Sequence, residues 1–182
     1  MSTVAISNPK QERPGAATFK GGPLTLIGPQ ITPGTPAPDF QALGQDLSPI
    51  SLSQYRGKPL LISVVPSLDT PVCDAQTRRF NDAAATLPQV EILTISMDLP
   101  FAQKRWCGAA SVTKVKTASD HREASFGTAY GTLIKELRLL SRAIFLIDAS
   151  GVVRYAEYVP EVTSHPNYDA ALAAARQLAA KT

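Results

Sequence analysis

Two short apolar runs flank a helix-length segment that contains neither proline nor glycine. Residues 59–65 form a partly β-branched run that ends at Pro66, and residues 90–97 carry apolar side chains at alternate positions, so both runs predict buried strands. Residues 74–87 between them suit a helix. Strands that are joined through a helix pair in parallel, because a tight hairpin cannot make that connection. The pattern therefore predicts a β-α-β unit and an α/β fold.

The second half of the chain carries its strongest hairpin signal. Residues 143–148 and 152–158 are strand-like runs joined by the turn Ala149-Ser150-Gly151. A final helix is predicted over residues 168–180. A β-α-β unit followed by an antiparallel hairpin and a terminal helix is the order that a thioredoxin-like fold requires, with a central mixed sheet flanked by helices. Weaker patterns predict a hairpin over residues 19–31, helices over residues 101–110 and 124–130, and a short strand over residues 115–117.

Charge and hydropathy argue against several functional classes. The 18 basic and 15 acidic residues give a net charge of +3 and form no dense basic run, so no nucleic-acid partner is indicated. No apolar run approaches the ~18 residues of a membrane span, and the first ten residues lack the apolar core of a signal peptide. We therefore expect a cytoplasmic protein. Two cysteines are too few for a secreted disulfide framework, so a bridge between them would be transient and catalytic.

Cys73 lies where a proline-containing turn gives way to the first predicted helix. Unpaired backbone N–H groups and the positive end of the helix dipole favour an anion there, which stabilises the thiolate relative to the thiol. Pro66 and Pro71 restrict the turn, and the hydroxyl of Thr70 is close enough in sequence to reach the sulfur. The turn and the helix start together predict a reactive thiol that is sheltered from solvent. The stripe of the helix that packs inward comprises Cys73, Thr77, Phe80, Ala84 and Leu87.

The residues before Cys73 resemble the active-site signature of peroxiredoxins. That signature is proline, three residues, threonine, two residues and cysteine, and Pro66, Thr70 and Cys73 match it completely. The longer string over residues 66–81 is similar to the thiol peroxidase subfamily, the bacterial atypical two-cysteine peroxiredoxins. The resemblance implies the peroxiredoxin form of the thioredoxin-like fold, with an N-terminal β-hairpin, and a thiol-dependent peroxidase activity.

Two further segments are similar to the same subfamily. Residues 99–108, around Cys107, resemble the segment that carries its resolving cysteine. Residues 119–143 resemble the block that contains its active-site arginine, which would be Arg142 here. Cys107 is the only cysteine besides Cys73, so the resemblance implies that these two form the catalytic pair.

The family mechanism assigns a role to each of these residues. Cys73 attacks the peroxide, while Arg142 and the hydroxyl of Thr70 bind the sulfur and the peroxide oxygens and Pro66 shields the sulfur from water. The resulting sulfenic acid condenses with Cys107 to a disulfide before it is overoxidised. A disulfide requires Cα atoms within ~7 Å, so local unwinding of one or both cysteine segments is expected. The implied substrates are hydrogen peroxide and alkyl or lipid hydroperoxides, and the implied reductant is thioredoxin.

The resemblance covers the chain from about residue 18 onward. It predicts one thioredoxin-like domain over residues 18–182, for which the 44% of hydrophobic residues can supply a core. Residues 1–17 precede the usual start of the family and are interpreted as a flexible N-terminal extension. Members of the family are commonly homodimers, so the resemblance implies a homodimer. For this chain we expect no cofactor, no nucleic-acid partner and no membrane association.

Other functions remain possible from the sequence alone. A cysteine hydrolase would use Cys73 as its nucleophile and would need a histidine base, for which only His121 and His165 are available. A thioredoxin-like binding or structural domain would leave both thiols inert or join them in a static bridge. With no C-x-x-C motif and no paired histidines, a metal site is not expected.

Individual site residues also have alternative roles. Thr70 is a suitable cap for the following helix, which is compatible with catalysis. Cys107 would by itself be interpreted as a small buried apolar residue, and only the surrounding segment predicts its resolving role. The arginines that compete with Arg142 for the cationic role are Arg78, Arg79 and Arg122.

Overall fold

The predicted β-α-β unit forms the middle of the larger of two sheets in the computed structural model, which describes residues 10–181. Its two strands are parallel neighbours, as expected. In chain order, the strands are β1 (Glu12–Phe19), β2 (Gly22–Ile27), β3 (Gln41–Leu43), β4 (Pro49–Ser51), β5 (Leu60–Val64), β6 (Glu91–Ser96), β7 (Lys116–Ser119), β8 (Leu133–Ile134), β9 (Ala143–Ile147) and β10 (Val153–Tyr158), and the helices are α1 (Pro71–Ala84), α2 (Pro100–Ala110), α3 (Ser125–Ala129) and α4 (Tyr168–Ala179).

The larger sheet has seven strands in the order β10-β9-β5-β6-β7-β3-β4. It is mixed, because β9 runs antiparallel to both of its neighbours whereas β5, β6 and β7 run parallel. Alternate side chains of β5 point to opposite faces. Ile62 joins a core with Phe126 of α3, and Leu61 joins a second core with Phe80 of α1 and Leu172 of α4. Helices therefore cover both faces, which confirms the thioredoxin-like fold class.

Helix α1 begins and ends earlier than the sequence predicted. It starts at Pro71 rather than Asp74 and ends at Ala84 rather than Leu87. Proline fits the first helical position because the N–H that it lacks has no partner in the first turn. After Ala84 the chain continues in a turn, in which the N–H of Leu87 donates to the carbonyl of Ala84 at 3.3 Å. The earlier start places Cys73 inside the first turn of the helix.

The N-terminal hairpin also begins before its predicted position. Strand β1 starts at Glu12 and pairs antiparallel with β2, whereas the sequence placed the hairpin at residues 19–31 and assigned residues 1–17 to a flexible extension. An Arg-Pro-Gly sequence resembles a chain break, but here it is a bulge at Gly15, with φ of 68°, across which the strand continues. The strand thus carries part of that extension into the second sheet, β1-β2-β8. Residues 1–9 lie outside the described residues.

Glu161 attaches this hairpin to the chain that follows β10. Its carboxylate accepts hydrogen bonds from the hydroxyl of Thr18 at 2.7 Å and from the backbone N–H groups of Lys20 at 3.0 Å and Gly21 at 3.1 Å. Hydrogen bonds from Thr163 and Thr18 hold the pKa of Glu161 well below its usual range. The carboxylate is therefore charged at neutral pH and fixes the position of the turn between β1 and β2.

Asp120 is a buried carboxylate just before α3. It accepts hydrogen bonds from the backbone N–H groups of Phe126 at 3.0 Å and Gly127 at 2.8 Å. Burial raises the pKa of Asp120 to about 6, although these backbone hydrogen bonds oppose the shift. Because the folded-state pKa lies above the unfolded value, the stability that this group contributes is fully present below about pH 4 and is lost as the pH rises through about 6.

We expect the wild-type protein to lose about 2–3 kcal/mol of unfolding free energy relative to the Asp120→Asn variant between pH 4 and pH 7. Asparagine does not ionise, so its own effect on the fold is the same at every pH in this range. The difference between the two proteins therefore isolates the carboxyl group of Asp120. Urea unfolding of both proteins at pH 4, 5.5 and 7 measures it, and a difference that does not change with pH would contradict the prediction.

Candidate active site

Cys73 lies in the first turn of α1, beyond the carboxyl end of β5. Thr70 takes the N-cap position with an extended backbone, and Pro71 follows as the first helical residue. The side chain of Cys73 is fully buried. Backbone N–H groups of a first helical turn lack partners within the helix, and Cys73 lies in that turn. The predicted position of a sheltered cysteine at a helix start is confirmed.

The hydroxyl of Thr70 points at the sulfur. Its oxygen lies 2.6 Å from Sγ of Cys73 and 3.0 Å from the carbonyl oxygen of Ser67. Although Thr70 is the N-cap residue, its side chain makes no capping hydrogen bond to the helix. The backbone alone closes the turn, with the N–H of Asp74 donating to the carbonyl of Thr70 at 2.9 Å. The hydroxyl is therefore available to the sulfur or to an oxygen bound to it.

Arg142 directly precedes β9, and its side chain contacts the same sulfur. Its guanidinium group is buried and donates to Sγ of Cys73 at 3.4 Å, to Oε1 of Gln76 at 2.8 Å and to the carbonyl oxygen of Val162 at 3.0 Å. No ion pair within residues 10–181 involves Arg142. Its positive charge is thus uncompensated by a carboxylate and acts on the sulfur. The structure brings Arg142, Thr70 and Cys73 together as the resemblance implied.

The three competing arginines lie on the surface. Arg78, Arg79 and Arg122 are all exposed, and each forms an ion pair with a carboxylate. The partner side chains and distances are Asp74 at 2.8 Å, Asp169 at 3.4 Å and Glu123 at 3.0 Å, in the same order.

Comparison with known proteins gives the family. The sequence matches the Redoxin family over residues 32–172. It is 58% identical over 161 residues to the thiol peroxidase of Bacillus subtilis (strain 168), covering 88% of this chain and 96% of that protein. It is also 58% identical over 159 residues to the thiol peroxidase of Halalkalibacterium halodurans, covering 87% and 96%. The chain belongs to the thiol peroxidase subfamily of the peroxiredoxins. This membership confirms the identification as an enzyme with peroxidase activity.

A solved structure extends the comparison to three dimensions. A peroxiredoxin-like protein from Aquifex aeolicus superposes on this peroxiredoxin with a TM-score of 0.85 at 38% sequence identity, covering 92% of this chain and 99% of that chain. The agreement therefore covers most of both chains. The peroxiredoxin form of the thioredoxin-like fold is therefore established for this protein.

Gln76 is a residue of the site that the sequence analysis missed. It is fully buried on α1, where its amide nitrogen donates to the hydroxyl of Ser63 at 2.7 Å. That bond directs Oε1 of the amide toward Arg142. Gln76 follows Cys73 by three residues and so shares its helix face. Its position three residues after Cys73, next to Thr77 of the predicted inward stripe, was the available signal.

Asp98 holds the loop that precedes Cys73 and was also missed. Its two carboxylate oxygens accept the hydroxyl of Ser67 at 2.7 Å and the N–H of Leu68 at 2.8 Å. Asp98 directly precedes the N-cap of α2. The carboxylate therefore connects the loop before Cys73 to the start of the helix that carries Cys107, and only the fold brings these distant segments into contact.

An apolar groove of about 470 Å³ opens beside Thr70 and Arg142. It lies between the N-terminal hairpin, the loop before α1 and the segment that leads into β9. Phe19 and Leu137 remain 44% and 45% exposed at this groove, which is high for large apolar side chains. The groove has room for an alkyl group beside Thr70 and Arg142, the two residues that contact the sulfur of Cys73. Apolar side chains that line the groove are Phe19, Pro66, Pro71, Val72, Ile134, Leu137, Leu139 and Val162.

Cys107 lies in the last part of α2 and differs from Cys73 in its surroundings. Both thiols belong to the described part of the chain and neither forms a disulfide. The two cysteines share one apolar core with Trp106. Burial raises the pKa of Cys107, and hydrogen bonding by Thr117 and Gln45 offsets only part of this shift. In this conformation Cys107 therefore remains a thiol at neutral pH.

The two histidines are engaged elsewhere. His121 Nδ1 lies 2.8 Å from the hydroxyl of Ser119, and His165 Nδ1 lies 2.7 Å from the hydroxyl of Tyr168. Neither hydrogen-bonds the sulfur of Cys73, so the arrangement does not support a hydrolase. Within residues 10–181, no group of three His, Cys, Asp or Glu side chains is arranged to hold a metal ion. In the same part of the chain, none of the helices is long and apolar enough to cross a membrane.

Proposed function

We propose that Cys73 is the peroxidatic nucleophile, and that Thr70 and Arg142 act with it on the bound peroxide. The observation that carries this proposal is the convergence of both donors on one buried sulfur at a helix N-terminus. The Cys73 thiolate attacks one peroxide oxygen in line with the O–O bond. A Cys73–oxygen bond forms as the O–O bond breaks, and the departing oxygen leaves as water or an alcohol after taking up a proton.

Thr70 and Arg142 supply the stabilisation that this step needs. Negative charge moves from the sulfur to the departing oxygen, and donors that are already in place lower the energy of that arrangement. The guanidinium group can bind both the sulfur and an oxygen, since it presents several N–H donors in one plane. Pro66 is buried at the same groove, which supports its role in shielding the sulfur from water.

The substrates that we propose are hydrogen peroxide and organic hydroperoxides, including alkyl and lipid forms. Hydrogen peroxide needs only the polar contacts around Cys73. The apolar groove beside Arg142 supports the organic substrates, because an alkyl chain can leave water there.

Cys107 is proposed as the resolving cysteine. Its thiol attacks the sulfenic sulfur of Cys73, so that an S–S bond forms, the S–O bond breaks and water is released. A dithiol protein of the thioredoxin type then reduces the disulfide by thiol-disulfide exchange and is itself oxidised. The cycle needs a reducing compartment, which supports a cytoplasmic location.

The proposed catalytic unit is a single domain over residues 18–182, to which the rest of β1 adds a few residues. We also propose that it works as a homodimer. Leu99 and Phe101 flank the start of α2 and are 53% and 64% exposed. Exposed apolar side chains near a site are typical of a surface that contacts another protein. Sedimentation of the reduced protein tests the dimer.

Cys107→Ser is expected to retain the first oxidation and to lose turnover with a thioredoxin system. Serine leaves the Cys73 site intact but cannot form the disulfide that thioredoxin reduces. Trp106, the only tryptophan of the chain, adjoins Cys107 and serves as the probe. Stopped-flow fluorescence of Cys107→Ser and wild type with stoichiometric peroxide, followed by mass spectrometry of the products, measures both steps. Full turnover in Cys107→Ser would remove Cys107 from the mechanism.

A further inference from the structure

Two side chains of α1 fasten the segment that follows Cys107. Oδ1 of Asn81 accepts the backbone N–H groups of Thr113 at 3.2 Å and Lys114 at 2.9 Å, just beyond the end of α2. Arg78 donates to the carbonyl oxygen of Ala110, in the last turn of α2, at 3.0 Å. The helix that carries Cys73 therefore holds the end of the helix that carries Cys107.

The last turn of α2 is weak without these contacts. Gly108 follows Cys107 inside the helix, and glycine costs a helix about 1 kcal/mol relative to alanine. Ser111 ends the helix in the left-handed conformation, with φ of 55°, which is unfavourable for a residue other than glycine. A local backbone hydrogen bond from the N–H of Val112 to the carbonyl of Cys107 at 3.1 Å closes the helix end, and the contacts from α1 add to it.

The first half of α2 makes more buried hydrogen bonds to the sheet than its last turn does. The buried amide of Gln103 donates to the hydroxyl of Ser96 at 3.0 Å and to the carbonyl of Ala118 at 2.8 Å. Asp98, which precedes the helix, accepts a hydrogen bond from the hydroxyl of Ser67. These contacts join the start of the helix to β6, to β7 and to the loop before Cys73. If α2 opens, it opens from its C-terminal end.

Formation of the disulfide requires a sulfur to leave its present surroundings. Thr70 and Arg142 contact the sulfur of Cys73, while Cys107 is buried in the apolar core that also contains Trp106. The S–S distance is about 2 Å in a disulfide, so at least one of the two cysteine segments must move before the bond can form, and the C-terminal end of α2 is the segment that we expect to move. Two of the contacts that oppose this movement are the hydrogen bonds that Asn81 accepts.

We infer that Asn81 is a positioning residue that holds the end of α2 closed and thereby sets the rate of disulfide formation. The inference rests on the proposed function, because it concerns the second chemical step of that cycle. In the closed state the peroxide pocket is intact and Cys107 is withheld. In the open state the Cys107 thiol, once deprotonated, attacks the Cys73 sulfenic acid, and the S–O oxygen leaves as water.

Asn81 is a better test than Arg78 because it separates the two steps. Arg78 is cationic and also pairs with Asp74 in the first turn of α1, so its removal would change the electrostatics around Cys73. Asn81 is neutral and lies about two helical turns beyond Cys73, a distance of about 12 Å along the helix axis at 1.5 Å per residue. Its replacement should leave the first oxidation unchanged.

The decisive experiment compares wild type with Asn81→Ala, Asn81→Asp and Asp82→Ala. Asn81→Asp keeps an oxygen that accepts the two N–H groups, and Asp82→Ala changes the exposed neighbour on the same helix. Each reduced protein is mixed with stoichiometric hydrogen peroxide. Trp106 fluorescence and acid-quenched mass spectrometry then give the rates of sulfenic acid formation and of disulfide formation.

Asn81→Ala is expected to accelerate disulfide formation about fivefold or more, since it removes an acceptor of two backbone hydrogen bonds. Sulfenic acid formation should stay within about twofold of wild type in all four proteins, and the two control variants should match wild type in both steps. Amide exchange at Thr113 and Lys114 should be faster in Asn81→Ala only. Excess peroxide should convert less Cys73 of this variant to the sulfinic acid.

An unchanged or slower disulfide step in Asn81→Ala, with a normal first step, would overturn the inference and leave the proposed function standing. The absence of sulfenic acid and disulfide in every protein, wild type included, would instead overturn the proposed function and this inference with it. Should Asn81→Ala fail to fold, Asn81→Ser carries the same test. Serine is too short to span both N–H groups, so the same acceleration is expected.

Discussion

Cys73→Ser is expected to abolish peroxide turnover. The serine hydroxyl is almost entirely protonated at neutral pH, so it offers no nucleophile to the O–O bond, whereas a cysteine thiolate is a strong nucleophile. Cys107 cannot take over the reaction, because burial raises the pKa of its thiol. Peroxide consumption with a thioredoxin system and direct detection of sulfenic acid measure the effect.

The matched control for this substitution is Cys107→Ser, which makes the same chemical change at the other cysteine. Both variants lose one sulfur atom, but only Cys107→Ser should form a sulfenic acid with stoichiometric peroxide. Near-identical thermal unfolding of the two variants would show that the difference lies in the chemistry. Steady-state activity retained by Cys73→Ser would be incompatible with the proposed mechanism.

Arg142→Ala is expected to lower the rate constant for peroxide by about 10²-fold or more, the usual effect of removing one donor from the transition state. The guanidinium group is the cation at the Cys73 sulfur and a donor to the oxygen that departs. Its removal also leaves the oxygens of Gln76 and Val162 without this donor, which is expected to cost about 1–3 kcal/mol of stability. Single-turnover kinetics below the unfolding transition measure the chemical effect alone.

Two comparison variants define the role of Arg142. Arg79→Ala removes a surface arginine from α1 and should leave the rate near wild type. Gln76→Leu keeps the volume of the side chain but removes the acceptor that orients Arg142, so a smaller loss of about tenfold is expected, and none in addition to Arg142→Ala. A near wild-type rate for Arg142→Ala would assign the cationic role to another group.

The local features of the fold could be predicted because they depend on neighbouring residues. Strand β5, the following turn and the start of α1 follow from an apolar run, two prolines and a helix-forming segment. The start of the N-terminal hairpin was predicted too late, because residues 1–17 were interpreted as an extension on the basis of where the family usually starts. Pairing with β2 instead continues β1 back to Glu12 across a bulge.

The sequence by itself determined which chemistry is possible at Cys73. The prolines, Thr70 and the cysteine lie within one turn and the first helical residues, so their spacing fixes their contacts. Arg142 could be identified only through the family resemblance, because no hydrophobic pattern in the sequence indicates that its side chain contacts Cys73 on α1.

The tertiary structure alone decided how the site is held and how it can move. Gln76 donates a hydrogen bond to Ser63 on β5. Asp98 accepts one from Ser67 in the loop before Cys73, and Asn81 accepts one from the backbone beyond α2. These hydrogen bonds join segments that are distant in sequence, and their partners are set by the packing of α1 and α2 on the sheet. Local sequence patterns carry no information about such pairings, since any buried polar side chain can be satisfied by many different partners.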